Sequence, residues 1–177
     1  TVCAEELPAV AGLPEENGRA RALSLTLQPK ADGPIGLMAR YGSLTIKPGK
    51  EIPIPKGTAH LGVWLYGRST WGQVMIGVKD TATGGAHLLG GWGVWALSKP
   101  GMEVCDNFDG WRLVVIENLP EAVTKGSCAI NWIAVSMPPQ QVYGKEVRTT
   151  ADPKLSLGGV VAFRDEVARP TFNYLPW

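Results

Sequence analysis

Histidine is nearly missing from this chain of 177 residues: only His60 and His87 occur. A histidine-rich transition-metal site is thereby nearly excluded unless cysteine or aspartate joins it. Cysteine is scarce as well. Cys3, Cys105 and Cys128 lie far apart and match no zinc-ligand spacing. They leave open one disulfide with a spare thiol, or three buried thiols. An excess of either charge is also lacking, with 17 Lys and Arg against 16 Asp and Glu and a formal net charge of +1. The basic residues are scattered, so neither nucleic acid nor an anionic membrane is expected as a partner. No apolar run approaches the roughly 20 residues of a membrane span. No stretch of ten or more residues combines a helical period with caps, so little helix is expected.

Recognisable catalytic sets are missing too. No serine lies in a GxSxG elbow. The GGWG at 90–93 is followed by no Lys-Ser/Thr and is no phosphate loop. Glycoside hydrolysis needs two carboxylates held roughly 5.5 or 6.5–9.5 Å apart, and the candidates are Asp106, Asp109 and Glu103. Their DNFDG context reads first as a turn, with Asn and Asp bonding their own backbone, and next as a calcium loop. His87, Tyr66 and Arg112 are the residue types of a sandwich lyase, but nothing in the sequence brings them together.

What is plentiful is glycine, proline and tryptophan. The 22 Gly and 14 Pro are spread along the chain and read as turns between many short elements. Residues 1–19 read as an irregular N-terminal arm. Beyond it, Leu23, Leu25 and Leu27 alternate with Ser24, Thr26 and Gln28; Leu61, Val63 and Leu65 take one face with Trp64 and Tyr66 on the other, and Val74, Ile76 and Val78 repeat the scheme. Further strands are expected at 37–46, 87–89, 111–116, 130–137 and 155–163. About eight short strands with frequent turns predict an all-β fold, a two-sheet antiparallel β-sandwich. There is no internal repeat and no interdomain linker, so residues 1–177 are read as a single domain. At this length folding buries roughly 70% of the surface of the unfolded chain, enough to stand without disulfide or metal staples.

Seven tryptophans occur, and Trp64, Trp71, Trp92, Trp95 and Trp111 all fall between residues 64 and 111. Glycines flank them in TWG at 70–72, GGWGVW at 90–95 and DGW at 109–111. Glycine beside tryptophan leaves a ring face uncovered, and a bare indole face suits the C–H face of a sugar. Burial in the core is the competing reading for each. Trp111 and Trp132, in apolar strands, read as core; Trp71, Trp92 and Trp95, in turn-like stretches, read as exposed. Trp64 and Tyr66 share the face opposite Leu61, Val63 and Leu65. Arg68, Lys79, His87 and Arg112 are the candidate hydrogen-bonding partners of a sugar.

The segments LGVWLYGRSTWGQVMIGVKDTATGGAH (61–87), NFDGWRLVVIENLP (107–120) and LSLGGVVAF (155–163) resemble the galactose-binding-like jelly-roll domains found beside catalytic modules in bacterial polysaccharide-degrading proteins. The resemblance implies an eight- or nine-stranded jelly roll and, in many members, glycan binding and a structural calcium. Arg68 departs from the pattern, since relatives often carry Asn after the glycine of the YG pair. The expected function is that of a non-catalytic carbohydrate-binding module holding a polysaccharide or oligosaccharide through Trp71, Trp92, Trp95, Trp64, Tyr66, Arg68, His87 and Arg112. It would need no cofactor, with structural calcium left open, and would be joined to a catalytic domain. The chain starts at Thr1 with no leader, so any signal peptide is expected to have been removed, and the place is extracellular or periplasmic. Two alternatives are a small jelly-roll lyase or hydrolase, and an accessory domain that packs its aromatics on a catalytic module.

Overall fold

The computed structural model describes residues 2–8, 13, 15, 16, 18–26, 44–69, 72–90, 104, 106–136, 141, 142, 145, 146 and 154–164. The strands are β1 (Val2–Pro8), β2 (Glu15–Glu16), β3 (Arg19–Thr26), β4 (Leu44–Ile46), β5 (Ile52–Pro53), β6 (His60–Arg68), β7 (Gln73–Asp80), β8 (Ala86–Gly90) and β9 (Asp109–Ile116). After the helix α1 (Glu121–Lys125) come β10 (Cys128–Ser136), β11 (Gln141–Val142), β12 (Lys145–Glu146) and β13 (Lys154–Phe163). The first sheet runs β1-β3-β13-β6-β9, with β2 also on β3; the second runs β4-β10-β7-β8, with β5 also on β10. Both are antiparallel, and the two-sheet sandwich expected from the alternation is present.

The period of two explains the layering, because successive side chains leave a strand on opposite faces. Leu61, Val63 and Leu65 of β6 are at most 1% exposed and meet Val74, Ile76 and Val78 of β7, similarly buried, in one core. Leu25, Ile116, Leu155 and Leu157 from the first sheet and Leu89, Ile130 and Val135 from the second join it. Each such side chain contributes roughly 1.5–3 kcal/mol by leaving water.

Helix is scarce, as expected, and three features depart from the sequence expectations. Much of the supposedly irregular arm is an edge strand, since Val2–Pro8 pairs in register with β3 from Val2↔Leu25 to Pro8↔Arg19. The one short helix among the described residues, α1, follows Pro120, buries Val123 and carries a Glu121–Lys125 pair at 2.6 Å. Trp132 lies outside the core cluster. It pairs with Gly77, across a bulge in β10, and its indole occupies the space a side chain at Gly77 would need. Trp111 also lies outside the core, on the outer face of the first sheet.

The hairpin between β7 and β8 is closed by Asp80. Its carboxylate accepts the Ala82 N–H at 2.8 Å and the Thr83 hydroxyl at 2.8 Å. The Thr83 hydroxyl, then the Ala82 and Thr83 amides, hold this carboxyl below the usual aspartate range.

Candidate glycan-binding face

Residues of β6 that turn away from the core are the starting point. Trp64 and Tyr66 stand two apart on that face, with Arg68 beyond them. Register places Trp111 of β9 opposite Tyr66. Its indole plane stands nearly perpendicular to both rings of β6, with centroids 6.3 Å from Trp64 at 86° and 5.4 Å from Tyr66 at 81°. Edge-to-face contacts of this kind are favoured by the ring quadrupole and add about 0.5–1.5 kcal/mol per pair. Trp111 reaches across β6 to β13, where a Cβ at Gly158 would meet its ring carbons at 2.8 and 2.9 Å. Glycine at 158 is what leaves room for the ring.

A polar network adjoins these rings. The Arg68 guanidinium carbon sits 4.8 Å from the Tyr66 ring centroid. Arg68 donates to Ser156 Oγ at 2.9 Å and to both Glu5 oxygens at 3.2 and 3.3 Å. Lys154 donates to Glu5 Oε1 at 2.5 Å, and the Ser156 hydroxyl donates to Glu5 Oε2 at 2.8 Å. Glu5 thus reaches from the edge strand over β3, whose outward Ala20, Ala22 and Ser24 are small and buried. Burial works to raise the Glu5 pKa, but the Lys154 and Ser156 hydrogen bonds and the two cationic charges outweigh it and hold the carboxyl below its ordinary value.

A carboxylate with a depressed folded pKa contributes stability that is full above the unfolded value and lost as pH falls through the folded one. Thermal unfolding of the wild type and a Glu5→Gln variant is expected to differ most near neutrality, with the gap closing in acid below the ordinary glutamate range.

Asp106 anchors the loop that leaves β6. Its side chain is fully buried, and Oδ1 accepts the Arg68 N–H at 3.0 Å and the Ser69 N–H at 3.2 Å. Ser69 there adopts φ 51°, a conformation rare for a non-glycine residue. The Asp106 amide in turn donates to the Gly72 carbonyl at 2.7 Å.

Of the residues singled out from sequence, Trp64, Tyr66 and Arg68 therefore come together. Arg112 does not join them: it pairs with Leu65, turns toward the core side and places its guanidinium 4.2 Å from the Phe108 ring centroid. His87 is on the other sheet, opposite Val78 of β7, and Lys79 there pairs with Glu51 at 3.4 Å. No His87–Tyr66–Arg112 set is formed. Trp71, Trp92 and Trp95 lie outside the described residues, as do Glu103 and Cys105. Cys3 and Cys128 are unpaired thiols, the first exposed and the second buried. Among the described residues no cluster of three His, Cys, Asp or Glu could hold a metal, and no helix is long and apolar enough to cross a membrane. Sequence reasoning missed Glu5, Ser156 and Lys154, and assigned Trp111 to the core. The one available signal was the outward parity of Ser156 and Lys154 in an otherwise apolar strand.

No protein-family model matches the chain, and no curated protein matches it. Among solved structures it is similar to TmCBM61 in complex with beta-1,4-galactotriose, at 16% identity and a TM-score of 0.42, over 93% of this chain and 88% of that one. A second is a structure from work on the promiscuous specificity of carbohydrate-binding modules of the β-sandwich superfamily. It shares 11% identity at a TM-score of 0.47 over 92% of this chain, which spans about half (53%) of its length.

Proposed function

We propose that the chain is a non-catalytic carbohydrate-binding module whose glycan lies on the outer face of the first sheet. The observation that carries this reading is the juxtaposition of Trp64, Tyr66 and Trp111 with the Arg68–Glu5–Ser156–Lys154 network. Sugar recognition needs an apolar surface for ring C–H groups and a few fixed donors and acceptors for hydroxyls. The aromatic trio supplies the first; Arg68, Lys154 and Glu5, each with a partly exposed side chain, supply the second. Because the polar groups are already bonded to one another, little side-chain entropy is lost when a sugar arrives.

A binding role also fits the chemistry of the carboxylate. Glu5 is held ionised between two cations, a poor state for a general acid near neutral pH. The gain per stacked ring is about 1–3 kcal/mol by analogy with bases on aromatic side chains, so affinity per site is micromolar to millimolar. Linkage to a polysaccharide-degrading domain would raise it by avidity. Such a role belongs outside the cytoplasm, in the extracellular space or periplasm.

Titration of intrinsic fluorescence with soluble galactan, xylan, mannan, mixed-linkage glucan and polygalacturonate, alongside a reducing-end assay, tests the proposal. A saturable change with one or more glycans and no product is the expected result. Silence across the panel rejects the binding role, and release of new reducing ends rejects the non-catalytic one.

A further inference from the structure

Resting on that reading, we propose that β1 together with Leu13 is a positioning element of the glycan face, setting the attitude of Trp111 and Arg68 rather than supporting the core. Three contacts carry this. Glu5 is the shared acceptor of Arg68, Lys154 and Ser156. The Pro8 carbonyl accepts the Trp111 indole N–H at 2.8 Å. Leu13, 8% exposed, packs at Gly158 beside the Trp111 ring, so a Cβ there would stand 2.7 Å from its Cδ1.

These contacts connect the two edges of the sheet. β1 is one edge strand, and β9, which carries Trp111, is the other. An indole at an edge has two soft torsions, and its N–H bond removes that freedom only while its acceptor stays in place. With the N–H engaged by Pro8, Trp111 offers a ligand ring carbons alone, and its perpendicular attitude to Trp64 and Tyr66 is maintained. Arg68 is placed in the same way: the Asp106 carboxylate holds its backbone, but its guanidinium is aimed by Glu5 and Ser156.

Leu7 and Leu13 are buried, but outside the cluster between the sheets. That cluster includes Leu25 of β3 and Leu155 and Leu157 of β13. Loosening the element should therefore disturb the aromatic face and leave the sandwich folded. A purely structural strand would behave in the opposite way, changing stability without changing how the tryptophans sit.

The test uses the full chain with Leu13→Ala, Gly158→Ala and Glu5→Gln. Near-ultraviolet circular dichroism reports the tryptophan geometry, and fluorescence titration with the strongest-binding glycan of the panel reports affinity. Leu13→Ala and Gly158→Ala are expected to alter the aromatic spectrum and weaken binding about tenfold or more, with cooperative unfolding retained. Glu5→Gln, which keeps the shape and removes the charge, should weaken binding several-fold with a smaller spectral change. Leu13→Ala removes bulk where Gly158→Ala adds it, so a Gly158→Ala chain that fails to fold leaves Leu13→Ala to decide. Wild-type spectra and affinity in Leu13→Ala overturn the inference while leaving the proposed function intact. If the wild type binds none of the glycans, the proposed function fails, and the aromatic spectrum alone decides whether this element holds Trp111.

Discussion

Asp106→Ala is expected to lower the unfolding midpoint by about 5–10 °C, from a loss of roughly 2–3 kcal/mol in a domain of this size. The carboxylate is fully buried and accepts from Arg68 and Ser69. Ser69 keeps a second acceptor in the Phe108 carbonyl at 3.0 Å, so the Arg68 N–H is the donor left without a partner. A part-buried donor that loses its acceptor adds a desolvation cost to the net worth of the lost bond. Ser69 is also held at a positive φ, and with the carboxylate gone the Phe108 carbonyl is left as the acceptor that offsets that strain. Asp106→Asn keeps an acceptor at Oδ1 and should cost about half as much. Because Arg68 is anchored through its own amide, glycan affinity should weaken with stability in the alanine variant and hold nearer to wild type in the asparagine one. Calorimetry on the three proteins checks this. Equal midpoints for all three would mean that the buried carboxylate has no part in holding the loop.

Trp64→Ala is expected to weaken glycan binding by about 10–100-fold, the equivalent of one lost ring contact of roughly 1–3 kcal/mol. The indole stands on the outer face, with the Trp111 ring 6.3 Å away. Its removal deletes a stacking surface and also one of the two rings against which Trp111 rests. Stability should fall by a smaller amount, about 1 kcal/mol from the lost aromatic pair. The matched control is Trp132→Ala on the opposite sheet. That indole covers Gly77, so its loss should cost stability and leave affinity unchanged. If both variants lose affinity equally, the effect is a general loosening of the sandwich rather than a missing platform.

The architecture was legible in the sequence where a strand alternates cleanly. Leu61, Val63 and Leu65 were assigned to the core by period alone and are there, because a slip of one residue would turn all three to solvent. What alternation does not supply is the partner strand. Trp111 and Arg112 are adjacent in a run apolar on both faces, and only the register Tyr66↔Trp111 and Leu65↔Arg112 shows which of them faces out. The sequence favoured the tryptophan for the core, and the reverse parity holds. The polar half of the candidate site was illegible for a different reason. Glu5 sits 63 residues from Arg68 and 149 from Lys154, and nothing local to the CAEEL segment announces either contact. Trp132 was misassigned for want of one fact, that glycine at 77 clears a place for an indole outside the core.

Oxidative footprinting read by mass spectrometry, with and without saturating glycan, measures the central claim most directly. Bound glycan is expected to shield Trp64, Tyr66 and Trp111 and to leave Trp132, on the other sheet, reacting at its free rate. Shielding of Trp132 with no change at Trp64, Tyr66 and Trp111 would place the sugar elsewhere and contradict the account.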